Sequence, residues 1–167
     1  RTNAFLESTQ GMLPLKQLAD FSADWNQSEA YQGLAAMDAA TVQSAEAVIC
    51  NNDDMALGAI DAYAKLNITE SALPVFFGID GTDAGLKAVL ESKLSGTVYN
   101  DKEGQAAAMA KLAVSLVSGE GLEEIEFENG KYIYLPYYKV TMDNAEAFLN
   151  NAISVKKLEK AMWLGNL

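Results

Sequence analysis

Short apolar runs alternate along this chain with longer segments whose apolar residues recur every three or four positions. Ala47 to Cys50 is a continuous apolar run that meets the polar cluster Asn51-Asn52-Asp53-Asp54, and a helix-compatible segment follows to about Leu66. A run this short and apolar fits a buried strand, so the chain is predicted to turn from strand into helix at the cluster. The unit then recurs. Pro74 to Asp80 reads as a second strand, closed by the turn Gly81-Thr82-Asp83 and followed by a helix over Ala84 to Ser92. Gly96 to Tyr99 reads as a third strand, which runs out at Asn100-Asp101 before a long helix from Lys102 to Ser118. Strands alternating with helices predict a parallel α/β sheet.

The flanks are less regular. A first helix is expected from near Arg1 to about Gly11, a short strand around Gln17 to Phe21, and a second helix from Gln27 to about Ala40 with Tyr31, Leu34, Met37 and Ala40 on one stripe. No strand stands ahead of the first helix to deliver it, so the chain reads as starting in mid-unit. Downstream, Glu123, Glu124, Glu126 and Glu128 form a solvated acidic connector. Asn129-Gly130 is a hairpin-type turn joining Ile125–Phe127 to an aromatic strand over Lys131 to Val140, which Pro136 interrupts or sends to an edge. Asp143-Asn144 is expected to cap a last helix from Ala145 to about Asn151. The stretch from Ser154 to Leu167 sets Val155, Leu158, Met162 and Trp163 beside Lys156, Lys157 and Lys160, an amphipathic pattern that docks on the domain or contacts another chain.

Composition narrows the function classes. The 167 residues, 50% hydrophobic, can bury a core. With 23 acidic against 12 basic residues the net charge is −11, which repels a polyphosphate backbone and argues against nucleic acid as a direct partner. The single cysteine, Cys50, allows neither a disulfide framework nor a Cys-rich metal site within the chain, and it reads as core. Histidine is absent, so no Ser-His-Asp or Cys-His arrangement can be built and the commonest acid-base group is missing. Neither a Gly-rich phosphate loop nor a dinucleotide fingerprint is present. No apolar run approaches the length of a membrane span.

Candidate chemistry gathers at the strand ends. Three successive strands finish in Asn51-Asn52, Asp80 and Asn100 while their bodies stay apolar. In open α/β sheets a ligand lies in the crevice beyond the carboxyl ends of the strands, where several βα loops converge. Two readings stay open: a helix cap accounts for each polar residue singly, Asp53 or Asp54 included, whereas one polar ligand accounts for all three together. Trp25, in the loop before the second helix, packs locally or offers a flat face on which a sugar stacks.

The runs Glu46 to Ala59, Pro74 to Gly81, Gly96 to Asp101 and Tyr134 to Thr141, in this order and approximate spacing, resemble the second half of the type I periplasmic sugar-binding proteins, with the glucose/galactose-binding members nearest in pattern. The resemblance implies one three-layer, parallel-sheet, Rossmann-like lobe of a two-lobed protein joined by a hinge and closing over one monosaccharide. Residues 1–100 would be the second lobe, incomplete at its start, 101–130 a helix and hinge-return segment of the first lobe, 131–150 the final strand and helix of the second lobe, and 151–167 an amphipathic tail. Matched position by position, Arg1 is similar to the arginine that hydrogen-bonds the sugar and Trp25 to the tryptophan that stacks on its ring. Asn52, Asp80 and Asn100 are similar to the asparagine of the strand-to-helix junction, the carboxylate that takes sugar hydroxyls, and the asparagine beside the hinge.

Glu46 stands where galactose-binding members carry a glutamate that completes a calcium site, but the calcium loop itself is not in this sequence, and Glu46 reads first as a surface carboxylate. No other cofactor is implied. The resemblance further implies a non-enzymatic, extracytoplasmic solute-binding component of an ABC sugar transporter, whose partners are a monosaccharide, a permease, a chemoreceptor in some members, and the first lobe. The sugar-responsive repressors of the LacI type and sugar sensors share the fold, so an effector-binding domain is the alternative. Gly78-Ile79-Asp80-Gly81-Thr82 superficially resembles the haloacid dehalogenase signature, yet Gly78 occupies the position of that family's aspartate nucleophile.

Overall fold

Each apolar run becomes a short strand, and the polar residues after it open a helix, because side chains at the strand ends take over the free N–H groups of the first helical turn. The structure, a computed structural model, describes residues 1–11, 15–66 and 68–150. Strand β1 (Ala47–Ile49) lies parallel to β2 (Val75–Phe77), with Val48 opposite Phe76. Single bridges, Phe77 with Gly96 and Asp80 with Tyr99, carry the parallel arrangement across to β3 (Thr97–Asn100). Backbone bonds from Gly78 N to Gly96 O (3.1 Å) and Asp80 N to Val98 O (2.8 Å) close that seam. Strand β4 (Tyr137–Val140) runs antiparallel on the outer edge of β3, with Tyr99 opposite Tyr138.

Among the helices are α1 (Thr2–Thr9), α2 (Gln27–Ala35), α3 (Ala39–Gln43), α4 (Asp53–Lys65), α5 (Asp83–Leu90), α6 (Lys102–Ser118) and α7 (Ala145–Leu149). Helix α2 packs along α4, and α5 packs against both α4 and α7. Their apolar stripes meet the inward residues of the strands in one core containing Leu34, Val42, Phe76, Leu86, Val89, Leu94 and Val140. Tyr63 meets Phe76 edge to face at 5.3 Å and its hydroxyl donates to Val42 O (2.7 Å), so the ring is buried without orphaning its polar end. At the other end Tyr99, Tyr138 and Phe148 form an aromatic cluster. The opposite face of β1 and β2, carrying Ala47, Ile49, Val75 and Phe77, stays largely open among the described residues. Helix α6 stands apart from the core: only Ser115 is buried, Met109, Val114, Leu116 and Val117 face solvent, and Lys111 reaches the carboxylate of Glu124 at 3.4 Å. Among the described residues no helix is long and apolar enough to cross a membrane.

Several elements differ from the sequence-based expectations. The strand expected around Gln17–Phe21 is irregular exposed chain, since no described strand offers it a ladder. The single helix expected over Gln27–Ala40 is two, because the Asp38 carboxylate accepts from Thr41 N (2.9 Å) and starts α3 afresh. The hairpin at Asn129-Gly130 shrinks to one bridge, Glu128 with Tyr132, and the aromatic strand is confined to β4, downstream of Pro136. Asn144 precedes α7 but does not cap it with its side chain; its amide accepts from Thr141 N (2.9 Å) and donates to Lys139 O (3.0 Å), bracing the end of β4. The tail expected beyond Asn151 lies outside the described residues.

Candidate functional site

The β2-to-α5 turn is the centre of the candidate site. Asp80 takes φ 112° and Gly81 φ 65°, a left-handed pair that turns the chain sharply where β2 ends, and Thr82 then caps α5 by accepting from Gly85 N (3.1 Å). The Asp80 side chain remains about a third exposed. Arg1 reaches it from the start of the chain: Nη2 lies 3.1 Å from Asp80 Oδ1, and Nη1 donates to Asn51 O (2.5 Å) at the end of β1. The Arg1 guanidinium also lies 5.5 Å from the centre of the Trp25 ring, a cation–π contact. Trp25 itself is 58% exposed and sits with Asp24 in a left-handed turn, φ 63° and 44°, just before Asn26 caps α2 through Ser28 N and Glu29 N. The indole is therefore held on the rim by backbone geometry rather than buried by packing.

Asn52 is both a cap and a tether. It is the N-cap of α4, accepting from Met55 N (2.9 Å), while its amide N–H₂ donates to Trp25 O (3.4 Å), so the same side chain starts the helix and tethers the tryptophan loop. The expectation that Asp53 or Asp54 caps this helix is corrected, since both lie one or two residues past the position whose side chain can turn back on the free N–H groups. Asn51 donates to Thr2 Oγ1 (2.8 Å), pinning α1 beside the site.

Asn100 ends β3 next to Asp80, donating its backbone N–H to Asp80 O (3.1 Å). Its side-chain oxygen accepts from Gln105 Nε2 on the first turn of α6. Asp80 and Asn100 both line an open cavity of about 230 Å³, with Gly81, Thr82, Asp83 and Lys102. Thus Arg1, Trp25, Asn52 and Asp80 form one connected cluster, and Asp80 carries it into the cavity that Asn100 shares. Glu46 lies apart: it is exposed at the start of β1, its carbonyl accepts from Val75 N (3.0 Å), and among the described residues no group of three or more metal-ligating side chains forms around it or elsewhere.

Three features of the site escaped the sequence. Asp53 is fully buried beneath the cluster, accepting from Thr82 N (2.7 Å), Thr82 Oγ1 (3.2 Å) and Thr97 Oγ1 (2.6 Å). Burial pushes its carboxyl upward, the three donors pull it back, and the charge of Asp80 adds to the rise. Next, Lys102 and Asp83 bring opposite charges to the cavity wall. Lastly, Tyr99 donates to Glu103 Oε2 (2.5 Å); burial first and this bond second raise the phenol well above its usual range, and the same bond holds Glu103 below the usual carboxylate range. A carboxylate just inside a helix looks like a dipole partner in sequence, and nothing local reveals that two threonines from other loops point at it.

The arrangement suits a polyhydroxyl ligand: carboxylate and amide acceptors, a guanidinium donor in a planar fork and an exposed aromatic face converge, and such charge-assisted bonds are about twice as strong as neutral ones. Burial pushes the thiol of Cys50, the one cysteine of the sequence, up to about 11 and keeps it protonated.

Known proteins share the sequence pattern and the fold. Residues 2–121 match the periplasmic binding protein domain family. The chain is 35% identical over 106 residues to the D-galactose/methyl-galactoside binding periplasmic protein MglB of Haemophilus influenzae, covering 62% of this chain and 31% of that protein. It is 27% identical over 143 residues to the xylitol-binding protein of Mycolicibacterium smegmatis, covering 86% of this chain and 38% of that one. Among solved structures, an ABC transporter solute binding protein from Bacillus halodurans with bound myo-inositol superposes with a TM-score of 0.69 at 29% identity, over 89% of this chain and 47% of that one. The chain thus spans between 31% and 47% of the length of these proteins. It has the type I periplasmic binding protein fold, and it belongs to the periplasmic binding protein domain family.

Proposed function

We propose that this chain supplies one side of a monosaccharide site in the solute-binding component of a bacterial ABC sugar transporter, with a sugar of the glucose/galactose type as ligand. The observation that carries the reading is Arg1, which joins Asp80, the Asn51 carbonyl and the Trp25 ring at the ends of β1 and β2. A sugar hydroxyl pair entering there finds a carboxylate acceptor and a guanidinium donor side by side, and the pyranose face finds the indole. Asn100 adds an amide from β3 once it exchanges Gln105 for a ligand hydroxyl. The exposed apolar positions of α6 support its assignment to a first lobe, which residues 101–130 would join while 1–100 and 131–150 form the second. The whole protein then acts outside the cytoplasm without catalysis, delivering its sugar to a permease and, in a chemotactic setting, to a chemoreceptor. Calcium at Glu46 would need ligands from outside the described residues.

A panel of galactose, glucose, xylitol and myo-inositol titrated into the two-lobed parent and into this chain, read by calorimetry and Trp25 fluorescence, tests the proposal. Saturable binding of a hexose to the parent, with weak or no binding to the chain alone, is expected. No response of the parent to any of the four sinks the sugar reading, and millimolar or tighter glucose binding by the chain alone overturns the claim that it holds only one side of the site.

A further inference from the structure

We propose that Asp53 is the positioning residue of this site: its buried carboxylate ties the Asp80-Gly81-Thr82 turn to β3 and thereby fixes where Asp80 meets a ligand. Asp53 has no exposed surface. Its backbone N–H donates to Ile79 O (2.8 Å), one residue before the turn. One carboxylate oxygen accepts both the N–H and the hydroxyl of Thr82, the last residue of the turn, and the other accepts the hydroxyl of Thr97 at the start of β3. The left-handed turn at Asp80 and Gly81 is thus gripped on both sides by one residue. The backbone is shaped to admit the carboxylate: a Cβ built on Gly78 would lie 2.3 Å from Asp53 Oδ1, and one on Gly85 would lie 2.2 Å from Oδ2. Gly78, just past β2, and Gly85, on α5, leave the space, and the two threonines supply three donors, so the buried carboxyl is satisfied by the turn it organises. The left-handed conformation of Asp80 is costly for a residue with a side chain and persists only where its surroundings over-determine it, and Asp53 supplies that constraint.

The inference rests on the sugar reading for its functional consequence, but the positioning itself is measurable without a ligand. Amide exchange by NMR on this chain reports the Thr82 N–H, and galactose titration on the same samples, and on the two-lobed parent, reports the site. Asp53→Ala is expected to speed Thr82 exchange about ten- to hundredfold, the loss of a hydrogen bond to a charged acceptor, and to weaken galactose binding at least about tenfold. Thr97→Val should move both readouts in the same direction and Thr97→Ser, which keeps the hydroxyl, should return them to wild type. Should Asp53→Ala fail to fold, the Thr97 pair decides. Val89→Ala, a core truncation at a residue 1% exposed, is the control for general loosening. If Val89→Ala changes both readouts as Asp53→Ala does, or if folded Asp53→Ala changes neither, Asp53 is a structural residue only and the proposal is overturned. If Thr82 exchange responds as expected while the wild-type parent binds none of galactose, glucose, xylitol and myo-inositol, the positioning stands and the sugar reading fails.

Discussion

Gly81→Ala separates strain from packing at the centre of the site. The glycine has φ 65°, and a Cβ there would lie 2.7 Å from Tyr99 Cδ2, 2.9 Å from Tyr99 Cα and 3.1 Å from Tyr99 Cβ. Ordinary carbon contacts need about 3.5–4.0 Å. Tyr99 cannot swing clear, because its ring packs on Phe148 at 4.9 Å, its hydroxyl is held by Glu103 and its backbone is paired to β4. The left-handed backbone costs alanine about 1–2 kcal/mol. Overpacking adds about 1–3 kcal/mol. Losing glycine's freedom in the unfolded chain returns about 0.4–1 kcal/mol. The expected net destabilisation is therefore about 1–4.5 kcal/mol, or a fall in Tm of roughly 2–4 °C per kcal/mol for a chain of this size. Gly119→Ala is the matched comparison, since Gly119 has φ 75° with nothing within 4 Å of its built Cβ and so carries the backbone cost alone. Urea denaturation followed by circular dichroism reads both. Equal losses for the two variants, or a loss under about 0.5 kcal/mol for Gly81→Ala, refute the argument that the turn is wedged against Tyr99.

Other perturbations probe the remaining parts. Arg1→Ala and Asp80→Asn break an ion pair that is about a third exposed on each side, so stability should change by less than about 1 kcal/mol in denaturant titrations. Galactose affinity of the two-lobed parent should nevertheless fall at least about tenfold in both, and a stability loss as large as the binding loss would contradict the assignment. Arg1→Ala should also shift the emission of Trp25 by removing the cation above its ring, a change absent from a Lys16→Ala control. Burial lifts the Cys50 thiol from 9.0 to about 11, so between those values the unfolded chain has lost a proton that the folded chain keeps. Stability should fall as pH rises through that window, and Cys50→Ala should abolish the fall between pH 9 and 10, below the range where Tyr63 and Tyr99, both raised by burial, add theirs.

The sequence by itself determined the alternation of strands and helices, the parallel sheet, and the polar residues at each strand end. Those features follow from local periodicity and from the need to satisfy free N–H groups where a strand turns into a helix. Resemblance then added Arg1 to Trp25, Asn52, Asp80 and Asn100, but it could not tell a cap from a contact, and the structure shows Asn52 as a cap that also tethers Trp25. Only the tertiary structure decided what joins what. Arg1 meets Asp80 across 79 positions and Asp53 meets Thr97 across 44, and pairings at that separation have no local pattern because chain folding, not spacing, brings them together. The strand expected around Gln17–Phe21 shows the converse: a strand needs a partner ladder as well as an apolar run, and the described residues offer it none. The role of Asp53 was hidden for the same reason, since a buried carboxylate is defined by donors from other loops and not by its neighbours in sequence.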